Sequence, residues 1–400
     1  MTLFSNVQQA PPDAILGLTE QFKADANPRK VNLGVGVYQD GHGKLPLLRC
    51  VEAAEKRLAE HPTAKGYLAI DGVPTYNDDV KRLVFGEDSP LLAKKRVVTI
   101  QALGGTGALK VGADFLRQVS PEAQVLISAP SWENHLALFT RAGFTVGQYR
   151  YYDADAKGVD VEGMLADLDA AAPGTIVVLH ACCHNPTGYD LAPADWDRVI
   201  DVVNARGLTA FLDMAYQGFS RGIEEDGAVV RAFAEKVPSF LVSTSFSKSF
   251  SLYGERVGAL SVVCADAAEA ARVLSQVKIV IRTNYSNPPT HGAALVETVL
   301  GDADLRAQWV EELGEMRDRI KAMRSTLVRG LADAGVTHDM SYITDQVGMF
   351  SFSGLSKDQM VRLRGEFGVY GTDTGRICVA ALNEGNVAYV SESIAAVLKG

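Results

Sequence analysis

The chain of 400 residues, 47% hydrophobic and 22% charged, is long enough for a large core and is neither disordered nor fibrous in composition. Its net charge of −9 offers no basic field for nucleic acid, no apolar run reaches the length of a membrane span, and the N-terminus lacks the layout of a signal peptide. Five cysteines in no framework spacing suit a reducing compartment, so a cytoplasmic protein is expected.

Residues 1–12 have no helical period and end in a Pro pair, which predicts an extended arm. Asp13 is placed to cap a short amphipathic helix that runs to Phe22. Residues 31–38 read as a strand with glycines at 34 and 36, where a missing side chain allows a bulge or a close approach to the backbone. A helical stripe follows over 47–61. The turn-bounded segment 65–72 then holds one aromatic, Tyr67, on local grounds a packed side chain.

Residues 97–103, then Gly104, Gly105, Thr106 and Gly107, then an apolar periodic run read as strand, glycine turn and helix. Amides at such a helix start, joined by the Thr106 hydroxyl, suit an anion. The dinucleotide fingerprint fails because its third glycine would fall at Lys110, which points to a single phosphate instead. A buried strand over 124–130 precedes Ser131, Trp132 and His135; locally, the tryptophan fills core and the histidine is structural.

Strand patterns at 176–181, 208–213, 239–244 and 257–264 alternate with helical stretches such as 193–206. That alternation predicts an α/β fold whose large domain is a mostly parallel sheet flanked by helices. Cys182, Cys183 and His184 suggest a metal at first sight, but neighbours on a strand point to opposite faces, so no metal is expected and the cysteines pack. Arg282 stands before a Pro-rich turn. Residues 302–333 form a long, charge-laced helix, a spine joining two domains. Short strand patterns over 343–381, one opened by Arg376, make a smaller α/β domain. The expected division is 46–315 for the large domain and 1–45 with 316–400 for the small one.

Chemistry concentrates at the ends of the strands. Between two hydrophobic runs stand Ser243, Thr244, Ser245, Ser247 and Lys248, with Arg256 eight residues on. A lysine here is either a surface residue on a Ser-rich loop or a desolvated amine of lowered pKa able to condense with an aldehyde. In the second case Ser245 and Arg256 hold a phosphate, by a hydroxyl and by a guanidinium fork. Asp213 ends another apolar strand with Tyr216 three residues on, and Asn185 follows a third in an Asn-Pro turn. Open α/β sheets put ligands at such ends. A carboxylate at a pyridine nitrogen, with an amide and a phenol near the ring's 3-oxygen, would make an electron sink.

The strings His-Asn-Pro-Thr-Gly at 184–188, Asp-Met-Ala-Tyr-Gln-Gly-Phe at 213–219 and Ser-Phe-Ser-Lys-Ser-Phe-Ser-Leu-Tyr-Gly-Glu-Arg-Val-Gly at 245–258 resemble those of class I aminotransferases, in the aspartate and aromatic subgroup. The likeness runs from Asn32 to about Ala381. It implies pyridoxal 5'-phosphate as cofactor, held by Gly105, Thr106, Trp132, His135, Asn185, Asp213, Tyr216, Ser245, Ser247, Lys248 and Arg256. Lys248 and Asp213 would be catalytic. Trp132 would stack on the pyridine ring, with His135 behind Asp213. The resemblance further implies a homodimer with shared active sites, in which the arm crosses to the partner while Tyr67, also catalytic, and Arg282 serve the neighbouring site. Substrate would be bound by Gly36, Trp132, Asn185, Arg282 and Arg376, with Arg376 on the α-carboxylate and Arg282 on a side-chain carboxylate.

The entrance positions in this family correspond to Gln39, Leu45 and Gly66, smaller or more apolar here than in strict aspartate enzymes. An enzyme for both aromatic and acidic amino acids, working by a ping-pong cycle with 2-oxoglutarate, is therefore expected. A strict aspartate enzyme, a decarboxylase or β-lyase, and a non-catalytic binding or regulatory protein on the same fold are the alternatives.

Overall fold

In the computed structural model, which describes residues 2–10 and 15–399, seven strands form the sheet on which the site stands. They are β1 (Val97–Leu103), β2 (Gln124–Ala129), β3 (Thr145–Arg150), β4 (Ile176–His180), β5 (Thr209–Met214), β6 (Phe240–Ser245) and β7 (Val257–Val263), in the spatial order β1-β7-β6-β5-β4-β2-β3. Strands β2 to β6 pair in parallel, and β7 runs antiparallel to β1 and β6. Strands β4 and β7 are buried along their whole length. Their near-continuous apolar runs are what a strand covered on both faces requires.

Helix Gly104–Val119 lays Leu109, Val111, Phe115 and Leu116 into one cluster with Ile100, Val125, Phe139, Phe211 and Leu260. Each such large side chain contributes about 1.5–3 kcal/mol on burial. The helix approaches closely because Gly112 has no side chain: a Cβ there would lie 2.5 Å from Phe211 Cζ.

The chain divides into two units, Leu45–Lys321 with Asp345–Gly348, and Met1–Lys44 with Ala322–Thr344 and Met349–Gly400. The sheet belongs to the first. Helix Ala303–Asp333 runs through the boundary between residues 321 and 322. The second unit holds a parallel pair, Val31–Asn32 with Val369–Tyr370, and an antiparallel pair, Phe350–Phe352 with Arg376–Cys378. Its helix Lys357–Phe367 starts in a capping box between Ser356 and Gln359, which satisfies two amides that a helix start otherwise leaves open. Arg324, 1% exposed, donates from Nη2 to the Phe350 carbonyl at 2.6 Å and meets the Ser351 hydroxyl.

Several local expectations are corrected. The N-terminal segment is exposed but bends at residues 3–6, where Ser5 N donates to Thr2 O and Val7 N to Phe4 O. Asp13 lies outside the described residues, and the helix is Leu16–Ala24. The strand expected over 31–38 stops at Asn32. Tyr67 is not packed: it is 97% exposed. The opposite-face argument for Cys182 and Cys183 also fails, since β4 ends at His180 and Cys183 takes a left-handed φ of 52°. Both thiols come with Asp226 into a group whose ligand atoms lie within 4.8 Å of one another. Asp226 there accepts the amides of Gly218, Ser220 and Arg221.

Candidate active site

The register of the sheet sets His180 beside Asp213 and Asp213 beside Ser243, so β4, β5 and β6 deliver their polar groups side by side. Asp213 is buried. Burial alone raises a carboxyl pKa, yet the hydrogen bond from His135 and the nearby Lys248 cation outweigh it and hold Asp213 below the ordinary carboxylate value. His135 Nε2 lies 2.8 Å from Asp213 Oδ2, and its Nδ1 lies 2.9 Å from Ser131 Oγ. An ionised carboxylate only accepts, so Nε2 carries a proton and donates to Asp213, while Ser131 holds the other ring nitrogen.

Sequence reasoning missed Ser131 and His180. His180 is buried, its two ring nitrogens without a hydrogen-bond partner among the described residues, 5.0 Å ring to ring from His135. Burial, with the neighbouring His135, pushes its pKa down to about 3, so it is neutral and adds no charge beside Asp213. His135, His180 and Asp213 also bring one ligand atom each to within 4.8 Å of one another. A strand-final His on β4 beside a strand-borne Asp on the parallel neighbour was the available signal.

Lys248 sits in the turn after β6, its Nζ 5.1 Å from the centroid of the Tyr216 ring. Burial, opposed by Asp213 and joined by the Arg256 cation, lowers its pKa to about 8. Residue 248 is thus a desolvated amine and not a surface lysine. Asn185, whose bond to Pro186 is cis, and Tyr216 are both buried. Trp132 precedes helix Glu133–Arg141 and packs edge-on to His135 at 5.2 Å.

A second cluster is built for an anion. The N-cap of helix Gly104–Val119 is Leu103, whose side chain cannot accept from the first-turn amides, those of Gly105 and Thr106 among them, and so leaves them to an anion. Gly104 takes φ 68°, and a Cβ there would lie 2.7 Å from Arg256 Nη2; one on Gly105 would lie 3.2 Å from Ser245 Cβ. Both glycines let the amides come up to Arg256 and Ser245. Arg256 Nη1 is aimed by the Tyr253 carbonyl at 2.9 Å and reaches Ser247 Oγ at 3.4 Å. An amine, an anionic acceptor and an anion cradle of this kind fit an aromatic aldehyde bearing a phosphate: Asp213 for the ring nitrogen, Lys248 for the aldehyde, Arg256 with Ser245 and the helix amides for the phosphate.

The remaining site residues fall into two further groups. In the large unit, Tyr67 and Arg282 are exposed and line a recess of about 330 Å³ with Leu68, Ile70, Ser286 and Asn287. The Arg282 guanidinium rests on the Ser286 hydroxyl. Leu45 is 49% exposed, and Gly66 is open on its side-chain side. In the small unit, Arg376 is 1% exposed, donates from Nη2 to the Gly34 carbonyl at 2.7 Å, and lays its guanidinium 4.4 Å from the centroid of the Phe350 ring. Gly36 meets the same ring, and Gln39 N donates to Ala380 O at 2.9 Å.

An α/β sheet with these strand ends belongs to the class of enzymes that work through a lysine and a phosphorylated aldehyde. Within that class, the chain matches "Aminotransferase class I and II" over residues 28–394, and it belongs to this family. It is 60% identical over 398 residues to an aspartate aminotransferase of Pseudomonas aeruginosa, with both chains fully covered. To the aromatic-amino-acid aminotransferase of Escherichia coli it is 50% identical over 397 residues, covering 99% of this chain and all of the relative. The crystal structure of an aromatic-amino-acid aminotransferase from Burkholderia pseudomallei, covalently bound to pyridoxal phosphate, superposes with a TM-score of 0.97 at 62% identity over the whole of both chains. The protein is an aminotransferase dependent on pyridoxal phosphate.

Proposed function

We propose that the enzyme moves the amino group between aromatic or dicarboxylic L-amino acids and 2-oxo acids, with glutamate and 2-oxoglutarate as the recurring pair. The observation that carries the chemistry is the partly buried Lys248 amine, its pKa lowered to about 8 and acted on by the charges of Asp213 and Arg256. Bound pyridoxal phosphate supplies an electron sink for the bond broken at the substrate α-carbon.

The chain's own residues do the rest. Lys248 Nζ, deprotonated in part near neutral pH, takes the proton from the substrate α-carbon. Asp213, kept anionic by His135, holds a protonated pyridine nitrogen. Arg256, Ser245, Ser247, Gly105 and Thr106 bind the phosphate and fix the ring's register. Asn185 and Tyr216 would hold the ring's 3-oxygen, and Trp132 would pack against the ring. Arg376 takes the α-carboxylate common to every substrate, and its burial strengthens that charged hydrogen bond.

Arg282 takes the side-chain carboxylate of an acidic substrate. Its exposed guanidinium, resting on the Ser286 hydroxyl, can swing aside for an aromatic ring, and Leu45 and Gly66 add no charge at the entrance. The near-equal likeness to relatives of both kinds supports the dual reading over a strict aspartate enzyme. Tyr67 and Arg282, exposed together on one recess, support a homodimer in which each chain completes its neighbour's site. The five free cysteines, all buried, support a reducing, cytoplasmic setting. Steady-state turnover of tyrosine, phenylalanine and aspartate with 2-oxoglutarate tests the substrate choice. Aromatic and acidic substrates within about tenfold in kcat/KM are expected; an aromatic rate a thousandfold, about 4 kcal/mol, below that of aspartate overturns it.

A further inference from the structure

Carboxylate recognition in the small unit rests on more than its arginine. Phe350 and Arg376 lie on paired antiparallel strands, with Phe350 opposite Cys378 and Phe352 opposite Arg376, which makes Phe350 and Arg376 diagonal neighbours on one face. The guanidinium carbon sits 4.4 Å from the ring centroid, within the range of a cation–π contact. Arg376 Nη2 is tied to the Gly34 carbonyl at 2.7 Å, so ring and carbonyl together fix the plane and the rotation of the fork.

The ring is itself held from two sides. The buried Arg324 donates to the Phe350 carbonyl at 2.6 Å and contacts Ser351, which pins the strand that carries the ring. On the far side stands Gly36, where a Cβ would lie 2.6 Å from Phe350 Cζ and 3.3 Å from Cε1. Gly36 is not among the residues of positive φ, and the three atoms nearest to a Cβ there all belong to the Phe350 ring.

We propose that Phe350 is a positioning residue for substrate carboxylates: its ring, seated against Gly36, carries the Arg376 guanidinium in the orientation that a carboxylate meets. The inference rests on the reading of Arg376 as the α-carboxylate fork. Because every substrate has that carboxylate, loss of the ring weakens acidic and aromatic substrates alike and acts on binding, not on proton transfer at the α-carbon. Glycine at 36 is then a requirement of the ring's seat.

The test compares Phe350→Leu, Gly36→Ala, the double variant and Arg376→Lys as holoenzymes. The readouts are kcat and KM for aspartate and phenylalanine, and the cofactor's absorbance change on titration with phenylalanine and with 2-phenylethylamine, which lacks the carboxylate. Expected for Phe350→Leu is a rise of roughly 3- to 30-fold in KM for both substrates, with kcat within about twofold and 2-phenylethylamine affinity unchanged. Gly36→Ala is expected to raise KM similarly by pushing the ring off the guanidinium, and to add nothing in the Phe350→Leu background, because the shorter side chain clears the new Cβ.

Unchanged KM in both single variants, additive effects in the double variant, or an equal loss of 2-phenylethylamine overturns the inference. Arg376→Lys separates the two levels. If it leaves phenylalanine affinity unchanged, the reading of Arg376 has failed; if it abolishes that affinity while Phe350→Leu does nothing, only the role of the ring has failed.

Discussion

His135 Nε2 lies 2.8 Å from Asp213 Oδ2, and through that bond the helix Glu133–Arg141 sets the charge at the end of strand β5. Asp213 is buried, and without its donor the carboxyl would rise in pKa. Asp213→Asn removes the anion and is expected to lower kcat/KM by about 10²–10³, the scale of losing one oriented electrostatic partner. His135→Phe keeps the carboxyl but removes the donor, so the acid limb of the pH profile moves to higher pH. The stability that Asp213's depressed pKa contributes, present above the unfolded value and lost as pH falls through the folded one, shrinks with it. A pH–rate profile and acid unfolding of both variants check these signs.

Lys248 gives a second pH dependence of the same sign, from a cost that fades as pH rises and not from a contribution that is lost as pH falls. Its folded pKa of about 8 lies below its ordinary value of 10.5, so the folded protein binds fewer protons between those limits. The cost to the cofactor-free protein is fully present below about pH 8 and vanishes above about pH 10.5, so stability contributed by this group rises with pH across the window. Replacement by Met is expected to stabilise the cofactor-free protein by up to about 3 kcal/mol at pH 7, less whatever packing the change loses, and to bring no gain at pH 10.5. Chemical denaturation at the two pH values decides it. Borohydride treatment of the wild-type holoenzyme is expected to leave a pyridoxyl adduct on the peptide that carries Lys248.

Much of this was legible in the sequence, for definite reasons. The strands β4 to β7 are buried on both faces, so they read as unbroken apolar runs, and Asp213, Lys248 and Asn185 stood out as polar residues at their ends. What escaped depends on pairing across the chain. His180 and Ser131 carry meaning only once β4 lies beside β5 and the helix after β2 brings His135 over Asp213. Gly36 and Phe350 are separated by most of the chain, and neither a lone glycine nor a lone phenylalanine announces that each sets the other's space. Cys183 was misread because strand periodicity was extended past His180 into a left-handed residue.

The anion cradle depends on two glycines as much as on its charges. Gly104→Ala introduces a Cβ 2.7 Å from Arg256 Nη2 at a residue with φ 68°. It is expected to raise the dissociation constant of pyridoxal phosphate about 10- to 100-fold, from displaced charged hydrogen bonds together with backbone strain. Arg256→Gln is expected to do at least as much. Neither change should alter the affinity for pyridoxal, which lacks the phosphate. Equilibrium titration of cofactor-free protein with both ligands distinguishes damage to the cradle from damage to the whole site.

Arg282 and Tyr67 supply the sharpest test of a shared site, because both side chains are exposed on the chain that carries them. Arg282→Asp is expected to reduce aspartate turnover about 10²–10³-fold, through the loss of a charge pair and the gain of a like-charge contact, while phenylalanine turnover changes less than tenfold. Lys248→Ala removes the base and is inactive on both. If each site takes its Lys248 from one chain and its Arg282 from the other, a hybrid dimer of the two variants contains one intact site and one doubly damaged site. Co-expression of the two chains under separate tags and purification of the hybrid should then restore aspartate turnover to about half that of the wild type. If both residues serve their own chain, the hybrid has no intact site, and its aspartate turnover stays at the mean of the two parents.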